Sequence, residues 1–189
     1  GGQGCIFEPA IPCYRKTKTK NERKNKRTVS KVSFNKKSAE REITMDDLVR
    51  KIQGYESWSI LWSQYCETPP YKGLATNSDI KKCLDKKQVD RTAKSRFPML
   101  VGPFGGQTIY EMGQKHLKKT TFQSQKSFDK ILGTIVSTMK PLFEGLVSLQ
   151  KHKICHGDLS VRNILVKQDL SYMIDFGLSY RYSNKSYLK

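Results

Sequence analysis

The sequence predicts an α+β fold in two lobes, and three observations support that prediction. Short apolar segments with strand-like patterning recur over roughly the first half of the chain. Helical spacing of apolar residues then dominates residues 127–147. Between the two lies the breaker cluster 102–106, Gly-Pro-Phe-Gly-Gly, whose composition suits a linker between lobes. With 189 residues, 37% of them hydrophobic, the chain can bury a core either in one good-sized domain or in two small lobes.

The composition describes a folded and strongly basic chain. Its formal net charge of +18 favours anionic partners, namely nucleic acid, acidic proteins or membrane surfaces, and charge alone does not choose among them. The sequence contains no apolar run near the ~20 residues that a bilayer span requires, and no recognisable signal peptide. We therefore expect a soluble protein that is not secreted, and the oligomeric state is left open.

The chain contains five cysteines, an odd number without a C-x-x-C pair. This pattern indicates neither a zinc site nor a disulfide framework. We therefore predict reduced thiols, which fit a cytoplasmic or nuclear location. Cys155 is interpreted as a small buried residue.

The chain opens on a glycine-rich turn, formed by Gly1, Gly2 and Gly4, that runs into an apolar strand containing Ile6. Glycines allow backbone amides to approach phosphate oxygens without obstruction by side chains. A hairpin turn would have the same composition, so the pattern is weak evidence by itself.

A basic insertion is predicted at 14–28. Residues 15–27 contain no apolar side chain, so we expect a solvated loop between two strands. Contact with nucleic acid or with an acidic substrate is the alternative, and the lack of interleaved aromatic residues weighs against a base-stacking surface.

The next predicted strand contains Lys31 among apolar neighbours. A lysine in that setting either extends toward solvent or meets a fixed anion. A helix should follow at about 38–52, with Glu40 and Glu42 near its start. Thr44 begins an N-cap pattern, so two helical pieces are also compatible with the sequence.

Alternating apolar residues at 58–62 predict a further strand. Residues 68–96 are polar and lysine-rich, which indicates an insertion with a short helix near 80–84. An apolar strand resumes at 97–101, before the breaker cluster. The apolar positions of the long helix at 127–147 are interpreted as core.

The most informative stretch is His156-Gly157-Asp158, followed by Asn163 and, twelve residues later, Asp175. Phosphoryl transfer from ATP needs a carboxylate to orient and deprotonate the acceptor hydroxyl, and oxygen ligands to hold Mg²⁺ against the phosphates. Short apolar runs flank both motifs and predict a strand hairpin. Such a hairpin would bring Asn163 and Asp175 together.

These linked motifs resemble the catalytic loop and the magnesium-binding turn of the protein kinase superfamily. The resemblance implies ATP and Mg²⁺ as cofactors, Asp158 and Asn163 as catalytic residues, and Asn163 and Asp175 as metal ligands. It also implies that Lys31 holds the ATP phosphates and pairs with Glu42, with Glu40 as the alternate partner.

The opening glycines fit the same resemblance. Gly1 and Gly4 match the last two glycines of the family's phosphate-binding loop, with Gly2 between them and Ile6 at the position of its valine. Residues 1–13 are similar to the start of serine/threonine protein kinases of large DNA viruses. The first glycine of the loop would then lie upstream of residue 1.

The resemblance also implies the domain organisation. Residues 1–101 would form an N-lobe with an antiparallel sheet and one helix, 102–107 a hinge, and 108–189 a partial, mainly helical C-lobe. At the hinge, backbone groups between about Val101 and Phe104 would meet the adenine.

Several positions depart from the family pattern. Gly157 replaces an arginine that grips a phosphorylated activation loop, so we expect no control by loop phosphorylation. Ser160 replaces the lysine of many serine/threonine kinases, and Arg162, next to Asn163, is the candidate to take over its charge. The chain ends twelve residues after Gly177, so we expect a fragment with little activity of its own.

The leading hypothesis is therefore a protein kinase that transfers the ATP γ-phosphate to a serine, threonine or tyrosine hydroxyl of a protein, with an acidic substrate favoured by the charge. One alternative is a small-molecule phosphotransferase of the aminoglycoside or choline type. The other is an inactive pseudokinase or a basic nucleic-acid-binding module. The expected location is the cytoplasm or nucleus of a host cell, or a virion.

Overall fold

The structure is a computed structural model that describes residues 4–14, 27–75, 77–85, 92, 94–117 and 125–183. The strands and helices are, in chain order, β1 (Gly4–Phe7), β2 (Thr28–Ser33), α1 (Lys36–Val49), β3 (Gln64–Glu67), α2 (Tyr71–Leu74), α3 (Ser78–Asp85), β4 (Pro98–Pro103), β5 (Gln107–Thr108), α4 (Ile109–Leu117), α5 (Gln125–Lys151), β6 (Ile154–Cys155), β7 (Ile164–Lys167), β8 (Leu170–Met173) and β9 (Tyr180–Arg181). Gly1, Gly2 and most of the basic insertion lie outside the described residues. In the described ranges no helix is both long and apolar enough to cross a membrane.

The chain divides into two compact units. Unit 1 comprises Gly1–Thr44 and Trp62–Phe104, and unit 2 comprises Met45–Leu61 and Gly105–Lys189. Residues 45–61, expected in the first lobe, group with unit 2 because they contribute to its core. Their buried side chains there are Met45, Val49, Ile52, Trp58 and Leu61. The domain boundaries expected from the sequence stay predictions.

Unit 1 is built on an antiparallel sheet in the strand order β1-β2-β4-β3. Cys5, Val32, Met99 and Cys66 lie opposite one another across it. Because side chains alternate along a strand, this row shares one face of the sheet, and the row containing Lys31 shares the other. The first face covers a core whose buried members are Ile11, Val32, Leu74, Ile80, Leu84, Phe97 and Met99.

The predicted insertion at 68–96 is part of this core. It contains α2 and α3, whose Leu74, Ile80 and Leu84 are buried there. The predicted short helix is confirmed as α3. The apolar side of α3 is only one turn long. Lysine and polar residues dominate the composition of residues 68–96, so the sequence does not indicate that α3 contributes to the core.

The strand predicted at 58–62 is wrong. Ser59 forms an isolated bridge with Met173, and β3 begins after this segment. Trp58 is buried in the core of unit 2, whereas Trp62 belongs to unit 1. The alternation at 58–62 therefore does not indicate one face of a strand. Trp58 and Trp62 lie in different units.

Helix α1 is continuous rather than split in two. Asn35 caps its start, since the Asn35 side-chain oxygen accepts the Ser38 amide at 3.1 Å. Thr44 is not a cap, because its hydroxyl donates to the Glu40 carbonyl one turn earlier at 2.7 Å. The helix therefore carries Glu42 in a regular interior turn.

Unit 2 packs α5 against the β7-β8 hairpin, which continues to β5 in one sheet, while β6 pairs with β9. The expectation that α5 is entirely core is wrong in its described part. Leu142 and Leu149 are buried, but Val136 is 63% exposed and Phe143 is 62% exposed. Apolar residues occupy two sides of α5, and the core of unit 2 covers one of them.

Four cysteines are paired, contrary to the prediction of reduced thiols. Cys5 is bonded to Cys83 and Cys13 to Cys66, whereas Cys155 is free and half-buried. The pairs span 78 and 53 residues, so no local spacing pattern reveals them. The expected cytoplasmic or nuclear location loses this support and stays a prediction.

We expect alkylation of the unfolded, unreduced protein to modify Cys155 alone, and alkylation after reduction to modify every cysteine. Mass spectrometry of the intact chain counts the adducts. Replacing Cys13 and Cys66 with serine should lower the free energy of unfolding by about 2–4 kcal/mol, because the bond restricts the unfolded chain. Cys155→Ser is the control that leaves both pairs intact. Labelling of all cysteines without reduction would contradict the pairing.

Candidate active site

A buried ion pair lies on the second face of the unit 1 sheet. Lys31 in β2 places its Nζ 2.9 and 2.7 Å from the two carboxylate oxygens of Glu42 in α1. Glu42 is 3% exposed and Lys31 9%. Such a pair offsets the cost of leaving water only when its geometry is close and further hydrogen bonds satisfy it. Glu40 is the alternate partner that the sequence offers for Lys31. Its Oε1 instead lies 3.8 Å from the Nζ of the exposed Lys36.

Glu42 has another donor that sequence reasoning missed. Trp62 donates its indole N–H to Glu42 Oε1 at 2.6 Å. The sequence carries no signal for this contact, because the pattern around Trp62 predicts a strand. The contact joins residues 20 positions apart.

Two of the predicted ATP-binding residues lie in β1. Ile6 is exposed and lies opposite Lys31 in the sheet. A Cβ added to Gly4 would collide with the Val32 carbonyl, so strand pairing already requires glycine there. The rest of the predicted glycine turn lies outside the described residues, and phosphate binding by it stays a prediction.

The predicted hinge groups already have partners within unit 1. The Val101 carbonyl accepts the Ser63 amide at 2.9 Å and the Ser63 hydroxyl at 3.0 Å. The Phe104 amide donates to the Arg27 carbonyl at 2.9 Å, and the Arg27 guanidinium lies 4.0 Å from the Phe104 ring centroid. Adenine contacts at these residues would therefore have to use other groups of the segment.

In unit 2, Asn163 is bonded to Asp158. Asn163 Nδ2 donates to the Asp158 carbonyl at 2.8 Å and to Asp158 Oδ2 at 2.9 Å. With Nδ2 committed, Oδ1 is the atom of Asn163 that can face a cation. The contacts also orient the exposed carboxylate of Asp158.

The predicted hairpin is confirmed, and it brings the second acid to this loop. Strands β7 and β8 pair with Ile164 opposite Met173. The Ile174 amide donates to the Asn163 carbonyl at 3.0 Å. Asp175 follows directly, with a left-handed φ of 64°.

Asn163 and Asp175 fit a magnesium ion that arrives with phosphate. Mg²⁺ is commonly bound by one or two protein side chains together with water and substrate phosphates. Within the described part of the chain, no three His, Cys, Asp or Glu side chains cluster closely enough to hold a metal by themselves. The side-chain oxygens of Asn163 and Asp175 are ligands of the kind that Mg²⁺ takes beside phosphate.

His156 links the loop to the hairpin. Its Nε2 donates to the Ile174 carbonyl at 3.0 Å, and its Nδ1 accepts the Asp158 amide at 3.4 Å. Its ring lies 4.6 Å from that of the buried Phe176. Burial lowers the pKa of His156, and this effect outweighs the opposing ones of the Ile174 carbonyl and of the carboxylates of Asp175 and Asp158.

The lowered pKa of His156 makes stability depend on pH. The unfolded chain titrates at the ordinary pKa of 6.5 and the folded protein below it, so the unfolded state binds more protons between the two values. We expect the free energy of unfolding to fall as the pH decreases below 6.5. Urea unfolding at about pH 7.5 and about pH 5.5 measures this loss. His156→Gln should flatten the dependence and exposed His152→Gln should not; an unchanged slope in His156→Gln would refute the assignment.

Gly157 is required by a close approach of two backbone segments. It has a φ of 77°, and an added Cβ would collide with the Leu178 carbonyl. The loop that contains Asp158 therefore packs directly on the turn after Asp175. The sequence pattern describes this position merely as a missing arginine.

Arg162 lies over an aromatic ring. Its guanidinium carbon is 4.7 Å from the centroid of Tyr110, and the Tyr110 amide donates to the Val161 carbonyl at 3.0 Å. No salt bridge within the described ranges involves Arg162. The contact with the Tyr110 ring helps to hold the guanidinium in place.

Comparison with known proteins identifies the family. A family model described as protein tyrosine and serine/threonine kinase matches residues 73–189. The match covers more than half of the chain, and the chain belongs to this protein kinase family. Its α+β fold, with an antiparallel sheet in unit 1 and long helices in unit 2, is that of a kinase domain.

The serine/threonine-protein kinase CAK1 of Saccharomyces cerevisiae is similar to this chain. The two are 26% identical over 115 residues, which are 47% of this chain and 31% of the yeast protein. The chain thus spans about a third of the length of that relative.

Proposed function

We propose that the protein transfers the γ-phosphate of ATP, with Mg²⁺, to a hydroxyl group of a protein substrate. The observation that supports this most is the arrangement in unit 2, where Asn163 is bonded to Asp158 and to Ile174, the residue before Asp175. An oriented acid beside an amide oxygen and a second acid matches the needs of phosphoryl transfer. Membership of the kinase family supports the same reaction class.

Each side chain has a proposed role. Asp158 orients the acceptor hydroxyl and takes its proton at Oδ1, because Oδ2 already accepts from Asn163. Asn163 Oδ1 and the Asp175 carboxylate would hold Mg²⁺, which neutralises phosphate charge when bound. Lys31, oriented by Glu42, binds the ATP phosphates.

The nature of the acceptor follows from weaker observations. The yeast relative is named a serine/threonine-protein kinase, and we propose serine or threonine as acceptors, with tyrosine as the alternative. Ser160 does not supply the lysine charge of many such kinases, but Arg162 next to Asn163 does supply a cation. The net charge of +18 favours an acidic protein substrate.

The expectations on nucleic-acid contact and on the origin of the protein stay predictions. Nucleic-acid contact would use residues 15–27, nearly all of which lie outside the described ranges. The similarity to kinases of large DNA viruses, and with it a location in a host cell or virion, rests on the opening residues alone.

The test is a screen of acceptors with ATP labelled at the γ-phosphate. We expect Mg²⁺-dependent label on proteins, with its loss upon chelation by EDTA, and phosphoamino acid analysis then separates serine, threonine and tyrosine. Aminoglycosides and choline in the same screen test the small-molecule alternative, and label on them alone would replace the proposal. ATP binding without any transfer would identify a pseudokinase. Salt-dependent binding of DNA or RNA, with and without residues 15–27, tests the basic module.

A further inference from the structure

The carboxylate of Glu42 is held from two directions. Lys31 Nζ donates to Oε1 at 2.9 Å and to Oε2 at 2.7 Å, and Trp62 Nε1 donates to Oε1 at 2.6 Å. Oε1 therefore accepts two hydrogen bonds, one from Lys31 in β2 and one from Trp62, which precedes β3. Both donors meet on helix α1 within unit 1.

The burial of Glu42 increases the contribution of the hydrogen bond from the Trp62 indole. Glu42 is 3% exposed, so water does not readily replace a donor that is lost. A hydrogen bond to an ionised acceptor is also stronger than one between neutral groups. Removing the indole N–H would therefore take a strong hydrogen bond from Oε1.

The two donors are not equivalent. Lys31 carries three N–H groups, and in the proposed function it must share them between Glu42 and the ATP phosphates. The Trp62 indole is neutral and has one N–H, which donates to Glu42, so it does not have to divide its donors between Glu42 and phosphate. It can hold Glu42 in one orientation whether or not nucleotide is bound.

The backbone next to Trp62 is anchored to the sheet. The Ser63 amide and hydroxyl both donate to the Val101 carbonyl in β4, at 2.9 and 3.0 Å. A rigid ring on a fixed backbone leaves few positions for the indole N–H. Trp62 thus joins α1 to the sheet by a bond that does not depend on the ammonium of Lys31.

We propose that Trp62 is a positioning residue: by holding Glu42, it keeps Lys31 where the ATP phosphates require it. This inference rests on the proposed function of the Lys31–Glu42 pair. It adds a residue that lies outside the family match at 73–189 and outside every motif found in the sequence.

The test removes the N–H and keeps the shape. Trp62 is replaced by 3-benzothienylalanine, whose sulfur takes the place of the indole N–H, and the same replacement at Trp58, in the core of unit 2, is the matched control. At position 62 we expect the KM for ATP to rise about five- to tenfold with kcat within about twofold. At position 58 both constants should stay native. Trp62→Phe, which also lacks the N–H, should reproduce the rise in KM.

The outcomes separate this inference from the proposed function. An active protein whose KM for ATP is unchanged by the replacement at position 62, or equally changed at position 58, would overturn the role of Trp62. If the native protein transfers no phosphate, the proposed function fails instead. The indole bond is then measured by NMR, where slow exchange of the Trp62 Nε1 proton should be lost in Glu42→Met, whose side chain has no oxygen to accept it. Exchange that is insensitive to Glu42→Met would overturn the inference in that case too.

Discussion

Replacing Asp158 with asparagine is expected to lower phosphoryl transfer by roughly 10²- to 10⁴-fold and to leave the affinity for ATP within about twofold. Asparagine has nearly the same shape, and its side-chain oxygen can still accept the Asn163 amide that donates to Asp158 Oδ2 at 2.9 Å. An amide does not take a proton from the acceptor hydroxyl at neutral pH. Transfer rates and calorimetric titration with ATP measure the two quantities separately.

The same substitution at Asp169 is the control. Asp169 is exposed, in the turn between β7 and β8, with a left-handed φ of 58° that asparagine tolerates. We expect native turnover and native stability in Asp169→Asn. Native turnover in Asp158→Asn would remove Asp158 from catalysis, and a loss of ATP affinity there would show that the variant disturbs binding.

Breaking the Lys31–Glu42 pair from one side is expected to lower the free energy of unfolding by about 3–5 kcal/mol. Glu42→Gln removes the negative charge that Glu42 places beside the buried ammonium of Lys31, and Lys31→Met removes the positive charge beside the buried carboxylate of Glu42. The double variant Lys31→Met, Glu42→Gln carries neither charge, and the amide oxygen can still accept the Trp62 indole. It should recover most of the stability. Urea unfolding without nucleotide measures all three.

The affinity for ATP should not recover in the double variant, even though its stability does. The double variant lacks the cation that is proposed to bind phosphate, so we expect its affinity for ATP to stay far below native. Lys36→Met, which removes an exposed pair with Glu40 on the same helix, is the control and should change neither stability nor ATP affinity measurably. A double variant as unstable as the single ones would contradict the electrostatic explanation, and native ATP affinity in it would exclude Lys31 from phosphate binding.

The hairpin that joins the proposed catalytic side chains could be predicted because its signal is local. Eighteen positions contain Asp158, Asn163 and Asp175. Two short apolar runs within them predict the hairpin. Lys31 and Glu42 are separated by 11 positions across one strand and one helix. Periodicity over a single element is enough to place residues of this kind.

The missed features depend on distant contacts. The cysteine pairs close 78 and 53 residues, and their partners lie on different elements of unit 1. The apolar pattern of α5 is the same on its covered side and on its exposed side. The pattern alone therefore predicts that Phe143 is in the core, whereas the structure exposes it. Spacing shows which residues share a face of an element, but it does not show what that face meets.

The sequence by itself determined the family of this protein, since the acids, the amide and the lysine are recognised by residue type and order. The tertiary structure alone decided which groups hold them: Trp62 on Glu42, His156 on the hairpin, and Gly157 under Leu178. The physical reason is that a reacting side chain must have one chemical identity, whereas many residues can supply a supporting hydrogen bond or a close approach. Only the folded backbone selects the one that does.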